Sequence, residues 1–519
     1  MQTPAIKMKG ITKIYSNGVV ANKDVDFSVN YGEIHAVMGE NGAGKSTLMK
    51  MLFGLEKVDK GEILFEGKTV HINNPSEAIA LGIGMVHQEF MLVPSLTVAE
   101  NMMLCAEPRK GLFIDRTRAL EETRKISDLY NLPIDPRARV EDLPVGMKQR
   151  VEILKALYRG AKILILDEPT AVLTPQETEE LFRQLEILRQ HDHTVIFITH
   201  KIREVKQICD RITILKNGLS MGVYSVKDIS ESDISKLMVG HEVKMHIDKK
   251  PAAPKTTVLR VEHLYNGYGE GKLKVDDVSF TVRSGEILGI AGVEGNGQRE
   301  LLESIVGMRK IQRGSITIKD LSVVGMSIQE IRDKGKCAYI PQDRLKVGVA
   351  AEATIKENML ANRLSEPQFS KGGVINEKHL NEKANELIRE FAVKCDESSQ
   401  TVTMLSGGNI QKVVVARELS MPRDLIIIDQ PSRGIDVGAT KFIQKKIIEL
   451  RDADTAILVS SADLSEIMEL SDSLIIMYDG QIAAYIKNLA GITEEEIGEY
   501  MLGIKKQTPD EIKEAVYEQ

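Results

Sequence analysis

The chain has 519 residues, of which 42% are hydrophobic and 28% charged, and its formal net charge is −7. This length allows two or more ordinary domains, and an acidic balance without long blocks of like charge disfavours nucleic acid as a partner. No apolar run approaches the roughly 20 residues that span a bilayer and the four cysteines form no Cys-x-x-Cys pair, so we expect a soluble or peripheral protein of a reducing compartment.

The first motif in chain order is a phosphate-binding loop, GENGAGKS at Gly39–Ser46. Its glycines let consecutive N–H groups point inward, and a helix beginning near Lys45 presents its positive end to the phosphates. Lys45 adds a charge at the β and γ phosphates, and Ser46 offers a hydroxyl to Mg²⁺. Upstream, Tyr15 either stacks on adenine or simply packs at a strand end. The predicted nucleotide-binding residues of this half are Tyr15, Gly39, Asn41, Gly42, Gly44, Lys45, Ser46 and Thr47.

Polar residues that complete an ATP site follow the loop. The apolar run ILIL ends in Asp167, predicted to hold Mg²⁺, and in Glu168, placed to polarise the attacking water. Gln88 is interpreted as a metal ligand or a sensor of the γ phosphate. His200 ends the strand TVIFIT and either orients the water at the γ phosphate or is satisfied locally. The predicted catalytic residues are Glu168, His200 and Gln88, and the predicted metal ligands are Ser46, Gln88 and Asp167.

The second half repeats this design with its chemistry altered. GVEGNGQR at Gly292–Arg299 lacks the lysine and the hydroxyl, and LIIIDQ at Leu425–Gln430 lacks the second carboxylate. We therefore expect no hydrolysis there. The number of residues between a motif of the first half and its match in the second half increases after the glutamines Gln88 and Gln342. This increase predicts one insertion in the second half, within Ala361–Asn376.

A second glycine-containing motif is altered in the first half of the chain and intact in the second. LSGGN is intact at Leu405–Asn409, whereas the first half has LPVGM at Leu143–Met147. Ser406 and its two glycines, ahead of a helix beginning near Asn409, form either a set of N–H donors for an exposed phosphate or an ordinary helix cap. The intact parts of both halves add up to one site.

The repeat divides the chain into two domains. The stretch around Pro251 and Pro254 mixes charges with proline and shows no sustained apolar period, which is typical of a linker. We predict a first domain at 1–245, a linker at 246–256, a second domain at 257–505 and a C-terminal tail at 506–519.

In this order the motifs resemble those of a protein with two fused ATP-binding cassettes, and the resemblance spans Ile6 to Ile504. It implies an α/β fold of two nucleotide-binding domains, each with a P-loop NTPase core, an antiparallel β subdomain and a helical subdomain. Cassettes of that family dock head to tail. The resemblance therefore implies that Ser406, Gly408 and Asp436 of the second cassette close the ATP site of the first.

More narrowly, a competent first loop and a degenerate second one resemble the ATPase subunit of bacterial importers of the carbohydrate class. FMLVPSLTVAEN after Gln88 and the LPVGM stretch look most like the members associated with nucleoside uptake. The resemblance implies ATP and Mg²⁺ as cofactors, two integral-membrane permease subunits and an extracytoplasmic solute-binding protein as partners, no nucleic acid, and a peripheral position on the cytoplasmic face of the membrane. A permease helix would dock after Gln88, at Phe90, Met91, Leu92 and Val93.

Two other classes of protein compete with this interpretation. A soluble tandem-cassette ATPase that acts on ribosomes or nucleic acid usually keeps both sites intact and carries a long charged helical segment or large arms. A nucleotide sensor without turnover would need a reason to keep Glu168 and His200 beside Lys45 and Ser46.

Overall fold

The computed structural model of the chain describes residues 3–15, 18–40, 42–88, 90–111, 113–171, 173–239, 249–267, 273–371, 374–433, 435 and 437–517. It forms two compact units, unit 1 (Met1–Val243) and unit 2 (Lys244–Gln519). The predicted site residues Asn41 and Asp436 lie outside the described residues, and so do 246–248 of the predicted linker.

Unit 1 combines a mainly parallel sheet with an antiparallel one. Its strands are β1 (Ile6–Ile14), β2 (Val20–Val29), β3 (Ile34–Met38), β4 (Lys60–Phe65), β5 (Lys68–Val70), β6 (Ile83–Val86), β7 (Arg109–Lys110), β8 (Phe113–Ile114), β9 (Ile163–Asp167), β10 (Thr194–Thr199), β11 (Arg211–Lys216) and β12 (Leu219–Ser225). The six-stranded sheet has the order β12-β11-β3-β10-β9-β6, and the four-stranded sheet has the order β2-β1-β4-β5. Strands β3, β9 and β10 are buried along their whole length, as parallel strands covered on both faces are.

Helices cover this parallel sheet and extend to one side of it. The helices of unit 1 are α1 (Lys45–Leu52), α2 (Pro75–Ala80), α3 (Val98–Met103), α4 (Arg116–Leu129), α5 (Val145–Tyr158), α6 (Pro175–Gln190), α7 (Ile202–Ile208) and α8 (Glu231–Val239). Helix α1 begins at Lys45, as predicted, directly after Gly44, whose φ of 95° favours glycine. A Cβ on Gly44 would lie 2.3 Å from the carbonyl oxygen of Ala21, so only glycine lets the loop turn here.

Unit 2 repeats both sheets with the same topology. Its strands are β13 (Thr257–Gly267), β14 (Leu273–Arg283), β15 (Ile287–Ala291), β16 (Arg313–Ile318), β17 (Leu321–Ser322), β18 (Cys337–Ile340), β19 (Ser370–Lys371), β20 (Val374–Ile375), β21 (Leu425–Asp429), β22 (Ala456–Ser460), β23 (Ser473–Tyr478) and β24 (Gln481–Ile486). The sheet order β18-β21-β22-β15-β23-β24 is that of unit 1 read from the other edge. The predicted α/β fold with two P-loop cores is confirmed.

The helices of unit 2 are α9 (Gln298–Ile305), α10 (Ile328–Lys334), α11 (Ile355–Leu360), α12 (Glu377–Glu390), α13 (Gly407–Leu419), α14 (Val437–Asp452), α15 (Leu464–Leu470), α16 (Glu494–Met501) and α17 (Pro509–Tyr517). Helix α17 occupies the predicted C-terminal tail, and its Val516 is buried in the core beneath β14. Among the described helices of the whole chain, none combines the length and hydropathy that crossing a bilayer requires.

Two details of the second half differ from the prediction. The extra length is not one insertion: matching residues are 254 apart at Gln88 and Gln342, 257 at the helix caps Thr97 and Thr354, 261 at the helix caps Asp115 and Asn376, and 262 at Leu143 and Leu405. Only the second increase falls within Ala361–Asn376, where a 3-10 turn occupies Ala361–Arg363, and the first accompanies a π-helical turn at Arg344–Gly348. Neither turn has a counterpart among the described elements of unit 1. Helix α13 begins at Gly407, so the two glycines of LSGGN form its first turn and do not precede it. Short insertions at element ends leave the sheet register unchanged, which is why motif spacing alone could not locate them.

Candidate functional site

The phosphate loop of unit 1 is organised around the buried side chain of Lys45. Its Nζ donates to the carbonyl oxygens of Gly39 at 2.7 Å and of Glu40 at 3.0 Å. Burial lowers the pKa of Lys45, although the charges of Glu168 and Asp167 oppose the shift. The ammonium therefore already lies inside the loop, at the place where phosphate oxygens would receive its charge.

Ser46 and Asp167 bring two oxygens together at the end of β9. The Ser46 hydroxyl donates to Oδ1 of Asp167 at 3.1 Å. Burial raises the pKa of Asp167, the bond from Ser46 opposes that shift, and the neighbouring charge of Glu168 adds to it. A carboxylate destabilised by burial and a hydroxyl next to it fit a hard cation such as Mg²⁺, whose preferred ligands are oxygens.

Glu168 is held between the two other predicted catalytic side chains. Nε2 of Gln88 donates to its Oε2 at 3.2 Å, and Nδ1 of His200 lies 3.1 Å from its Oε1. Burial alone would raise the pKa of Glu168, but the hydrogen bond and charge of His200, with the charge of Lys45, outweigh burial and lower it. Glu168 is therefore ionised at neutral pH. It also has a φ of 48°, a left-handed conformation that turns the chain sharply after β9.

Tyr15 lies beside the first turn of α1. Its hydroxyl is 3.3 Å from Oγ1 of Thr47, and the ammonium of Lys13 lies 5.5 Å from the centre of its ring. A second polar side chain holds the loop from the same side: the fully buried Asn22 donates from Nδ2 to the carbonyl oxygen of Gly44 at 3.2 Å. The sequence analysis did not identify Asn22, because one asparagine in a strand carries no motif.

The corresponding loop of unit 2 is closed without a lysine. Nε2 of Gln298 donates to the carbonyl oxygen of Val293 at 3.1 Å, so an amide fills the interior that Lys45 fills in unit 1. The Arg299 guanidinium donates from Nε to Oε1 of Glu303 at 2.7 Å. Burial raises the pKa of Asp429 to about 7, and its Oδ2 has no hydrogen-bond partner among the described residues. This site keeps its backbone shape and loses the charges of the first.

The reactive pair of unit 1 is also replaced in unit 2. Gln430 has a φ of 55°, matching Glu168, but its Oε1 accepts from the backbone N–H of Ala462 at 3.1 Å, where unit 1 has His200. Neither the amide of Gln430 nor the methyl group of Ala462 is an ionisable base. The described part of unit 2 therefore offers no counterpart of the Glu168–His200 pair.

The LSGGN stretch of unit 2 presents an open helix end. Ser406 is exposed and precedes α13, and its side chain makes no capping bond to the helix backbone. Its Oγ instead accepts from Nδ2 of Asn409 at 2.9 Å, while Oδ1 of Asn409 accepts from the N–H of Lys394 at 2.8 Å. In unit 1 the same position before α5 is Pro144, which has neither a hydroxyl nor an N–H to donate.

The structure thus gathers most predicted residues of the first half into one place. Hydrogen bonds join Ser46 to Asp167 and join Gln88 and His200 to Glu168, and the charge of Lys45 acts on both Asp167 and Glu168. Ser406 and Gly408 lie in unit 2, at the start of α13. Such a set can bind a triphosphate and activate a water molecule against it.

Comparisons with known proteins agree with this chemistry. The sequence profile of a family described as "ABC transporter" matches residues 22–171 and 275–433. The guanosine import ATP-binding protein NupO of Bacillus subtilis is 45% identical over 96% of this chain and 97% of its own length. The nucleoside import ATP-binding protein NupA of Lactococcus lactis is 42% identical over 96% of this chain and 98% of its own length.

More distant proteins share the same length and fold. The ribose import ATP-binding protein RbsA of Clostridium tetani is 36% identical over 96% of this chain and 97% of its own length. A solved structure of an archaeal ribosome recycling factor, aABCE1, in complex with the ribosomal stalk protein aP1, covers 97% of this chain and 94% of its own with a TM-score of 0.60. At 19% identity, this last likeness concerns the fold alone.

Proposed function

Since this chain belongs to the ABC transporter family as a tandem ATPase, we propose that it powers the import of a nucleoside through a membrane transporter, hydrolysing ATP at one of its two sites. The observation that carries the substrate class is the identity to nucleoside importers, 45% and 42%, against 40% to a glucose importer and 36% to a ribose importer of similar coverage.

In the proposed mechanism the loop of unit 1 binds the triphosphate. Its backbone N–H groups and Lys45 surround the phosphates, and Ser46 and Asp167 hold Mg²⁺, with Gln88 as a further ligand. When bound, Mg²⁺ neutralises charge on the β and γ phosphates. Tyr15 stacks on adenine from its position beside Thr47.

Glu168 orients and polarises the attacking water. Each of its oxygens already accepts one hydrogen bond and keeps a second lone pair for the water. Because a carboxylate only accepts, Nδ1 of His200 carries a proton. Its other ring nitrogen, Nε2, is free of this contact and is the atom of His200 that we propose reaches the γ phosphate. Gln88 links this pair to the segment that follows β6.

The LSGGN stretch supplies a further set of phosphate-binding groups. We infer that Ser406 and Gly408, at the positive end of α13, donate to the γ phosphate of ATP. Asp436, which lies outside the described residues, is proposed as a further nucleotide-binding residue. The LPVGM stretch has Pro144 at the matching place, with neither a hydroxyl nor an N–H to donate. We therefore propose that the chain has one hydrolytic site and a second, degenerate site that binds nucleotide weakly or not at all. The predicted domain bounds 1–245 and 257–505, with the linker 246–256 between them, belong to this proposal.

We also propose a partner arrangement: two integral-membrane permease subunits, an extracytoplasmic solute-binding protein, and a peripheral position on the cytoplasmic face of the membrane. An apolar cleft supports it. The cleft has a volume of about 250 Å³; its apolar lining includes Phe53, Leu55, Pro75, Ile79 and Met91, and one part of it is lined by the ionisable side chains His87, Glu152, Lys155 and Arg159. Met91 is 62% exposed, and its carbonyl oxygen accepts from Nζ of Lys155 at 2.8 Å, which fixes the segment after Gln88. Leu92 is half-buried against the core, so Met91 is the better docking contact.

Replacing Met91 with aspartate is expected to weaken assembly with the permeases by more than about tenfold, because an exposed apolar side chain that would pack against a permease helix is replaced by a charge that must lose its water on docking. ATP affinity of the isolated chain should not change. The measurement is co-purification with the permeases. Leu129→Asp is the matched control, because Leu129 is similarly exposed, at 57%. Normal assembly of the Met91 variant would contradict the docking surface.

The substrate class has a direct test. In membranes containing the permeases and the binding protein, we expect guanosine to stimulate ATP hydrolysis several-fold and ribose or galactose to leave it at the basal rate, because the binding protein couples only its own ligand to closure of the cassettes. Stimulation by ribose but not by guanosine would contradict nucleoside import and leave the ATPase assignment in place.

A further inference from the structure

A buried carboxylate connects the two turns that carry the reactive pair of unit 1. Glu204, in the first turn of α7, is 7% exposed. Its Oε1 accepts from the hydroxyl of Thr170 at 2.6 Å, and its Oε2 accepts from the hydroxyl of Thr199 at 3.0 Å. Charged acceptors make the stronger hydrogen bonds, and low exposure shields them from water.

The two threonines flank the reactive residues. Thr170 follows Glu168 by two positions, and Thr199 immediately precedes His200. Thr199 belongs to the strand, whereas Thr170 belongs to the turn after β9, so one carboxylate joins two separate segments. Each segment presents its reactive side chain to the other, at the 3.1 Å contact between Glu168 and His200.

Lys201 completes this arrangement. Its Nζ lies 3.2 Å from Oε1 of Glu204, which supplies a countercharge, and its backbone N–H donates to Oγ1 of Thr199 at 3.1 Å. Glu204 occupies the third position of α7, where a glutamate often reaches back to the N–H that precedes the helix. Here that N–H is satisfied by Thr199, and the carboxylate turns to the threonines.

Unit 2 contains the same bridge without the reactive pair. Glu466 accepts from the hydroxyls of Ser432 and Ser461, both at 2.7 Å, and from Nε2 of Gln444 at 3.1 Å. The turns it joins carry Gln430 and Ala462. The bridge is thus part of both units, but only in unit 1 does it lie behind groups that can act on ATP.

We propose that Glu204 is a positioning residue for ATP hydrolysis. By bonding to both Thr170 and Thr199, it keeps the side chains of Glu168 and His200 in contact with each other while nucleotide binds and leaves. This inference rests on the roles proposed above for Glu168 and His200. Glu204 bonds to Thr170 and Thr199 and pairs with Lys201, all of which lie in the turns that carry Glu168 and His200, so we expect it to act on turnover more than on ATP affinity. A displacement of about 1 Å at a reacting group costs up to about a hundredfold in rate.

The test compares Glu204→Gln with Glu466→Gln in the full chain. For Glu204→Gln we expect kcat to fall about ten- to a hundredfold with KM for ATP within about twofold of the original. The amide places an NH2 group where one of the two hydroxyls now donates to a carboxylate oxygen, and it removes the countercharge of Lys201. For Glu466→Gln we expect kcat within about twofold of the original. Burial and the charge of Asp463 raise the pKa of Glu466 to about 7, so a neutral amide is a mild change there.

A second pair of variants covers the case in which Glu204→Gln does not fold. Thr199→Ala removes one arm of the bridge and should lower kcat about tenfold, whereas Thr199→Ser keeps the hydroxyl, as Ser461 does in unit 2, and should restore it. Unchanged kcat in Glu204→Gln and Thr199→Ala, or an equal loss in Glu466→Gln, would overturn the proposal. Glu168→Gln is measured in parallel: if that variant hydrolyses ATP normally, the proposed site itself is wrong, whereas its inactivity beside a fully active Glu204→Gln rejects the bridge alone.

Discussion

Replacing Glu168 with glutamine is expected to lower steady-state ATP hydrolysis by about 10²- to 10⁴-fold while leaving ATP binding intact. The carboxylate is ionised and is held between Gln88 and His200, where it can polarise a water molecule. The amide has the same shape but is not a base. Lys45, proposed to bind the phosphates, and Ser46 and Asp167, proposed to hold the metal, keep their present contacts. The measurements are phosphate release and binding of radiolabelled ATP.

The internal repeat supplies the control for that variant. Gln430→Ala changes the equivalent position of unit 2, where the side chain only accepts from the N–H of Ala462. We expect its turnover to stay within about twofold of the original, since no base is lost. Hydrolysis near the original rate in Glu168→Gln would exclude Glu168 as the base. Loss of hydrolysis in a correctly folded Gln430→Ala would show that unit 2 is catalytic.

Replacing Ser406 with arginine is expected to lower hydrolysis by at least about a hundredfold, through a residue that lies outside the unit containing the base. Ser406 is exposed before α13, and the proposed site uses its hydroxyl and the N–H groups behind it to bind the γ phosphate. A long side chain there would keep the helix end away from the nucleotide. Binding of ATP to the loop of unit 1 should persist, so the loss should appear in kcat.

Pro144→Arg is the matched control, because Pro144 holds the same place before α5 but offers neither a hydroxyl nor an N–H to a phosphate. We expect its hydrolysis to remain within about threefold of the original. Equal loss in both variants would indicate a general effect of arginine at these helix ends. Full activity in Ser406→Arg would contradict a role of the LSGGN stretch in hydrolysis.

The sequence was sufficient for residues that belong to contiguous motifs. The glycine spacing around Lys45 placed the start of α1, because only a tight loop of positive-φ residues lets a buried lysine reach back to Gly39 and Glu40. An apolar run ending in two acids placed Asp167 and Glu168 at the end of β9. The loss of Lys45 and Glu168 equivalents at Gln298 and Gln430 was also visible, since each change removes a charge from a recognisable motif.

Contacts between segments that are far apart in the sequence could not be predicted from sequence patterns. Glu204 looks like an ordinary helical glutamate until the fold brings Thr170 and Thr199 to its two oxygens. Asn22 likewise lies in a strand and becomes relevant only where Gly44 passes over it. The exposed N-terminus of α13 was predicted two residues late because glycines disfavour helix interiors, whereas in the first turn their cost is small.

The claim that each chain has a single hydrolytic site is tested most directly by counting the ADP that orthovanadate traps on the purified transporter after turnover with Mg-ATP. Vanadate replaces the departing phosphate and holds ADP only where hydrolysis has occurred. A base at Glu168 and none at Gln430 predicts one trapped ADP per chain, and none in Glu168→Gln. Two trapped ADP molecules per chain, or one that persists in Glu168→Gln, would contradict the account.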